Sequence, residues 1–304
     1  MTVAAACDTL SCDLVALREA FSPYGVTLRQ SGLAVDDGAP PRVVDTPRYQ
    51  AMEAYFDTKW TAAGRTMMCG TASVQVNLGL GAGDRAARRW RGANVLGPVL
   101  AAAFSSSPNR ASTGSRRLAT WLRLDPSRTA PVACDGDASP RQAWADYALD
   151  ANVMLMRDDG GCRALVGEAL TARDWVEHGH PRGWPTAEDV AYHLTTLFPP
   201  VRPRGWLELR MIDALPDPWW RVPVAVAAAL VDDNEAVEAS EAVAHRWWPA
   251  AIDGLADRPL AAAAAVCGER ALATLDAVGV DDCIADLVEQ WAATVRKGCE
   301  PPWM

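Results

Sequence analysis

The sequence predicts an α+β fold, and three observations carry that prediction. Apolar residues recur at helical spacing over most of the 304 residues. Two segments, Thr71 to Leu80 and Trp206 to Ile212, alternate polar and apolar side chains as strands do. After Pro216 and Pro218 the chain turns almost wholly helical, so strands and helices are segregated along it.

The elements follow in order. Leu10, Leu14, Leu17 and Phe21 share a helical stripe in Cys7 to Phe21, which Pro23 and Gly25 end. A short strand is expected at Val26 to Leu28, then a turn-rich loop from Asp36 to Pro41. Pro47 opens a helix through Met52, Tyr55 and Phe56, because proline at the first helical position gives up no needed donor. After the first alternating strand, Asp84 to Phe104 reads as a long helix interrupted or kinked near Pro98. Ser105 to Asp137, rich in Ser, Pro, Gly and Arg, reads as a long loop of the kind that often binds ligands. A short helix at Pro140 to Leu149 and a strand at Val153 to Met156 follow. Helical spacing returns over Thr186 to Phe198, with Thr186 as N-cap and Asp189 three residues on. Val222 to Val231, Glu235 to Leu255, Leu260 to Val278 and Asp281 to Arg296 form a closing helical pack.

Composition narrows the function. A net charge of −9 argues against a general phosphate-backbone binder, which needs clustered Lys and Arg, so no nucleic-acid partner is expected. No apolar run approaches a membrane span and the start lacks a secretory pattern, which places the protein in the cytoplasm with no membrane partner. Eight scattered cysteines, without a CxxC pair, read as small and mostly buried thiols. His178 and His180 lie in a Gly- and Pro-rich loop with no third ligand near in sequence.

Chemistry concentrates on the two alternating strands. Thr71, Ser73, Gln75 and Asn77 point one way, and Ala72, Val74, Val76 and Leu78 the other. Glu208 and Arg210 share a face opposite Leu207, Leu209 and Met211. Either this is a sheet with one solvated face, or the polar face lines a substrate cleft. In a cleft, Glu208 can bind a divalent cation through oxygen and Arg210 can meet a phosphate through its planar fork. Arg116, Arg117 and Arg128 add a locally cationic region suited to an anionic small substrate, whereas Arg85, Arg88, Arg89 and Arg91 read as helix surface.

Four ordered blocks resemble the plant-type family of glutamate–cysteine ligases, in particular its actinobacterial branch serving ergothioneine. They are Arg48-Tyr-x-x-Met-x-x-Tyr-Phe, Met67-Met-x-x-Thr-x-x-x-Gln75-Val-Asn77-Leu, Arg116-Arg117 through Trp121 to Asp125-Pro-x-Arg128-Thr, and His193-Leu-Thr-Thr-Leu-Phe-Pro-x-Val-Arg202 leading to Leu207-Glu208-x-Arg210-x-x-Asp213. The resemblance implies a glutamine-synthetase-like antiparallel sheet curved into a half-funnel, with helices packed outside. It implies ATP-dependent phosphorylation of the glutamate γ-carboxylate, attack by the cysteine amine, and Mg2+ as the metal. By resemblance Glu208 and Gln75 are metal ligands, and Gln75, Asn77 and Arg210 contact ATP. Arg210 and Arg117 are catalytic, and Arg117, Trp121 and Thr71 bind substrate.

Two departures accompany the resemblance: Gly79 stands where the family usually has Asp, and nothing matches the family's first glutamate-bearing strand. The expectation is therefore a single catalytic domain over 1–304 lacking N-terminal strands, weakly active or inactive alone and prone to aggregate. A ligase using another amine acceptor, and a non-catalytic remnant, remain open at this point.

Overall fold

The computed structural model describes residues 1–34, 41–59, 61–108, 112–133, 139–158 and 161–303. The loop expected at Asp36 to Pro41 lies, but for Pro41, outside them. The chain forms two compact units. Unit 1 comprises Met1–Leu33, Ala72–Arg116 and Pro203–Met304, and unit 2 comprises Ala34–Thr71 and Arg117–Arg202.

In chain order, α1 (Val3–Phe21) belongs to unit 1, and its N-cap Thr2 accepts a hydrogen bond from the Ala5 N–H. Only Val3 and Cys7 of α1 are buried, while Leu10, Leu17 and Phe21 of the expected stripe are exposed. The backbone at Val26 to Leu28 is not a strand. In unit 2, α2 (Pro47–Asp57) starts at Pro47 as expected, and α3 (Thr61–Gly70) was not legible as a helix. Unit 1 resumes with β1 (Val76–Gly79) and α4 (Gly83–Ala103), which runs through Pro98 as one helix.

The Ser- and Arg-rich stretch expected to be a loop contains two helices, α5 (Arg116–Leu122) and α6 (Pro126–Thr129). The local reason for α6 is Asp125, whose carboxylate caps it by accepting from Ser127 N–H, followed by Pro126 at the first helical position. Unit 2 continues with α7 (Pro140–Asp150), the hairpin β2 (Leu155–Asp158) and β3 (Gly161–Ala164), α8 (Ala172–His178) and α9 (Ala187–Leu194). Thr186 caps α9 with a full capping box, since Asp189 also accepts from the Thr186 backbone. The strand β4 (Val201–Pro203) stands where the chain passes back to unit 1.

Next comes β5 (Trp206–Leu209), then α10 (Arg221–Leu230), α11 (Asn234–Glu241), α12 (Trp247–Ile252), α13 (Arg258–Val278) and α14 (Asp282–Arg296). The single helix expected over Glu235 to Leu255 is broken into α11, α12 and a 3-10 turn at Gly254–Ala256. Pro249 can sit within α12 because that helix starts only at Trp247, so proline falls in its first turn.

The second half of α4 is buried on all sides, from Gly92 to Ala103, which a helix can be only when neighbours surround it. It packs with α11, α12 and α13, and a β-carbon at Gly97 would stand 2.4 Å from the Trp247 ring, so glycine is required there. The alanine run of α13 lets α10 and α14 approach closely; Ala263 and Ala264 are buried, and Gly268 faces Ala292. In unit 2 the core joins Met52, Tyr55, Phe56, Leu124, Met154 and Leu155.

Both alternating strands are shorter than expected, and the named strands among the described residues have three or four residues each. The fold is thus α+β with small antiparallel sheets. No helix of the described residues is long and apolar enough to cross a membrane. Of the cysteines, Cys7 and Cys267 are buried but Cys12, Cys283 and Cys299 are exposed, which corrects the expectation of mostly buried thiols. Cys12 and Cys283 sit on solvent-facing positions of α1 and α14 and Cys299 follows α14, where no packing demand covers a small thiol.

Candidate active site

In unit 1, β1 and β5 pair antiparallel with Val76 opposite Leu209, Asn77 opposite Glu208 and Leu78 opposite Leu207. Directly opposed residues share a face, so Asn77 and Glu208 are neighbours on one side while Val76, Leu78, Leu207 and Leu209 bury the other. The expected alternation therefore holds over this stretch. Gln75 and Asn77 are exposed, and they help line a groove of about 1070 Å³ with Gly79, Arg85, Arg89 and Asp232. Glu208 and Arg210 do not line that groove.

Glu208 is only 8% exposed, unusual for a carboxylate on a half-open sheet, and its Oε2 lies 3.3 Å from Nη1 of Arg210. A buried charge is retained only beside a partner, and the guanidinium supplies one. Among the described residues no group of three or more His, Cys, Asp or Glu is placed to hold a metal ion. The donor chemistry of the opposed pair nonetheless suits Mg2+: the Glu208 carboxylate and the Asn77 amide oxygen are hard oxygen donors, and Mg2+ keeps most of its shell for phosphate and water, while Gln75 lines the groove that Glu208 does not.

Beyond β5 the register slips. The pairing Val76–Leu209 is followed by a bridge between Ser73 and Asp213, leaving Val74 and Gln75 facing Arg210, Met211 and Ile212. One side carries an extra residue, which makes a β-bulge and ends the regular strand earlier than Ile212. Successive burial of Met211 and Ile212, at 1% and 0% exposure, is the mark of that broken alternation.

Asp213 closes the bulge, and no role for it was legible in the sequence. It is fully buried and accepts hydrogen bonds from Ser106 N–H (3.0 Å), Ser107 Oγ (2.7 Å) and Ser115 Oγ (2.7 Å). Gly32 approaches so closely that a β-carbon there would stand 2.4 Å from the Asp213 carboxyl carbon.

The remaining expected site residues lie in unit 2. Arg117 is buried on α5, and Trp121 packs edge-on against Phe198 with ring centroids 5.7 Å apart. Thr71 follows the last residue of α3, its hydroxyl donating to the Met67 carbonyl at 2.8 Å. It falls in a different unit from Gln75 and Asn77, so the strand on which the four polar residues were expected does not reach it. The helix α3 continues to Gly70 and takes up the chain there.

Arg128, expected among substrate-facing cations, has no exposure at all. Its Nε donates to Asp125 Oδ2 (3.0 Å), Nη1 to the Thr196 carbonyl (3.0 Å) and Thr196 Oγ1 (3.1 Å), and Nη2 to the Asn152 carbonyl. The guanidinium also lies over the Tyr55 ring, 5.2 Å from its centroid. Tyr55 Oη completes the network by donating to Asp125 Oδ2 at 2.6 Å. Burial drives the Asp125 carboxyl up, but the Arg128 charge and the bonds from Tyr55, Ser127 and Arg128 outweigh it and hold it below the usual carboxylate range. Burial pushes the Tyr55 hydroxyl up to about 12, so it stays a donor. Arg128 is thus a structural cation, because packing encloses it and backbone carbonyls use its donors.

In the basic segment of α4, Arg85 and Arg88 are exposed as expected, but Arg89 is largely covered, and Arg85 and Arg89 line the groove with Gln75 and Asn77. Arg85 and Arg89 pair with Asp232, and Arg91 with Glu241. His180 meets Glu168 at 2.9 Å, with no metal cluster around it among the described residues.

A family model for glutamate–cysteine ligase family 2 matches residues 1–300. The glutamate–cysteine ligase EgtA of Mycolicibacterium smegmatis is 42% identical over 289 residues, covering 90% of this chain and 67% of that protein. EgtA of Mycobacterium tuberculosis is 39% identical over 281 residues, 87% of this chain and 64% of that protein. A chloroplastic glutamate–cysteine ligase B of Oryza sativa is 30% identical over 212 residues, 66% of this chain and 41% of the plant protein. The chain spans about two thirds of the length of the bacterial relatives it matches.

Proposed function

This chain belongs to glutamate–cysteine ligase family 2, and from that membership we propose that it serves the ATP-dependent ligation of L-glutamate to L-cysteine. The product is γ-glutamylcysteine, and the pathway we assign is ergothioneine biosynthesis in the cytoplasm. In this reading residues 1–304 act as one catalytic domain, related in architecture to the half-funnel of glutamine synthetase.

The reaction has two halves. The γ-carboxylate of glutamate attacks the terminal phosphorus of ATP, giving an acyl phosphate and ADP. The cysteine amine then attacks the acyl carbon, the C–O bond to phosphate breaks, and an amide and inorganic phosphate leave. When bound, Mg2+ offsets the charge of the triphosphate. Glu208, Gln75 and Asn77 are the residues assigned to hold metal and nucleotide. Arg210 is assigned to the transferring phosphoryl group, whose charge a bidentate guanidinium matches in shape and sign. Arg117, Trp121 and Thr71 are assigned to substrate, with Arg117 offering its cation to glutamate or its acyl phosphate.

The observation that supports this best is the buried Glu208 beside Arg210, directly opposite Asn77 on a short paired strand. A purely solvated sheet face does not bury a carboxylate. The test is ADP release with glutamate, cysteine and Mg2+ by an enzyme of the bacterial relatives' full length that contains this chain, beside Glu208→Ala. We expect release that needs all three components and falls at least a hundredfold in the variant. Magnesium dependence and turnover unchanged by Glu208→Ala would sink the metal assignment, and an amine preferred over cysteine would change the acceptor.

A further inference from the structure

We propose that Asp213 is a positioning residue: anchored by Ser106, Ser107 and Ser115, it fixes the bulge that sets where Glu208 and Arg210 stand. The inference rests on the assignment of Glu208 to the metal. Its physical basis is independent of that assignment.

β5 has four residues and its regular pairing with β1 ends at Leu209, so Arg210 stands beyond it and Glu208 one residue from its end. The strand is prolonged by a bulge, an inherently twistable element whose direction depends on what pins its far end. Asp213 is that far end. It is a bridge partner of Ser73, so its backbone is registered to the β1 segment. Its carboxylate meanwhile reaches away from the strand pair to the 105–107 segment and to Ser115.

The neighbouring bonds make the anchor two-sided. Ser106 Oγ donates to the Ala214 carbonyl (2.7 Å) and accepts from Gly32 N–H (3.0 Å). Gly32 in turn accepts from Ala72 N–H at 3.1 Å, and Ala72 accepts from Ala214 N–H at 3.1 Å. Four chain segments of unit 1 therefore close around one carboxylate, and only glycine at position 32 leaves room for it. Ser115 also precedes Arg116 and Arg117, so the same carboxylate fixes the point at which the chain leaves unit 1. Asparagine can turn its Oδ1 to Ser106 N–H and Ser107 Oγ, but its Nδ2 then faces Ser115 Oγ as a donor, so the bond donated by Ser115 is lost together with the charge that strengthens all three.

The experiment titrates the full chain with Mn2+ as a stand-in for Mg2+ in the presence of ATP, reading free Mn2+ by electron paramagnetic resonance. Amide hydrogen exchange over residues 206–213 is measured on the same samples. The proteins are wild type, Glu208→Gln, Asp213→Asn and the Ser107→Ala/Ser115→Ala pair. We expect the Mn2+ dissociation constant to rise at least tenfold in Glu208→Gln and Asp213→Asn, and several-fold in the serine pair. Exchange at Arg210 to Ile212 is expected to accelerate tenfold in Asp213→Asn. If Asp213→Asn does not fold, the serine pair is read by the same criteria.

A lower Mn2+ stoichiometry at an unchanged dissociation constant means fewer folded molecules, and it overturns a positioning role. Wild-type affinity and wild-type exchange in Asp213→Asn overturn it equally. If Glu208→Gln binds Mn2+ like wild type, the metal assignment fails, and the exchange at 210–212 then decides the positioning inference alone.

Discussion

Replacing Arg128 with methionine removes the only group that neutralises Asp125 by a full charge within the network of unit 2 described above. Methionine fills much of the same space, so the perturbation is chiefly electrostatic. The guanidinium is fully enclosed, and its loss leaves a carboxylate that is 2% exposed with only Tyr55 and Ser127 as described donors. Breaking a buried pair from one side costs about 3–5 kcal/mol. The Thr196 and Asn152 carbonyls also lose a donor, at about 1–3 kcal/mol for each buried group left unsatisfied. These costs overlap, because the relaxation that admits water to one relieves the others, and about 4 kcal/mol is the figure to test.

The assay is urea denaturation of wild type, Arg128→Met, Asp125→Asn and the double variant. A coupling of about 2–3 kcal/mol is expected, with the double variant more stable than the sum of the singles predicts. The sign of the pH dependence follows from the depressed Asp125 carboxyl. Its contribution is present above the ordinary value of 3.8 and is lost as pH falls through the lower folded value. Arg128→Met removes the depression, so acid unfolding starts at higher pH. A loss under about 1 kcal/mol, or no coupling to Asp125, would refute the structural role of Arg128.

Two further predictions concern α9. His193 is buried, its Nε2 facing the Ala148 carbonyl at 2.9 Å, and burial pushes its imidazole down from 6.5 to about 4. The unfolded chain therefore binds the proton first, and stability falls between pH 6.5 and about 4 by up to about 3 kcal/mol; His193→Gln, followed by urea titration at several pH values, should flatten that slope. Thr186→Ala removes the side-chain half of the capping box, leaving the backbone N–H of residue 186 on Asp189, and should cost about 1 kcal/mol in a thermal melt, while Thr186→Ser should lose almost nothing.

How far the sequence reaches is clearest where local signals are strong. Thr186 followed by Asp189, Pro47 at a helix start and Asp281 before a helical run each have a local cause, and each helix starts where the sequence expected it, although the one expected to reach Phe198 ends at Leu194. The face carrying Asn77 and Glu208 was legible because alternation over a few residues is a local pattern, and it holds. Failures came where the deciding partner is remote. Glu235 to Leu255 has helical composition throughout, yet α4 and α13 take up its pieces at separate points, and the helix breaks to meet them. The exposed stripe of α1 has the same origin, since periodicity states which residues share a face and not whether a neighbour covers it.

The sequence by itself determined the α+β class and the family blocks, whose resemblance implied the candidates Glu208, Arg210, Gln75, Asn77, Arg117, Trp121 and Thr71. Those depend on residue type and spacing, which are properties of the chain alone. Only the tertiary structure decided that Arg128 is enclosed by Asp125, Tyr55, Thr196 and Asn152, and that Asp213 is held by serines about a hundred residues away in sequence. In each case one charged side chain has to find several neutral or opposite partners before it can be buried. Those partners come from distant segments, so the choice between a substrate-facing charge and a structural one is made only when the chain closes around it.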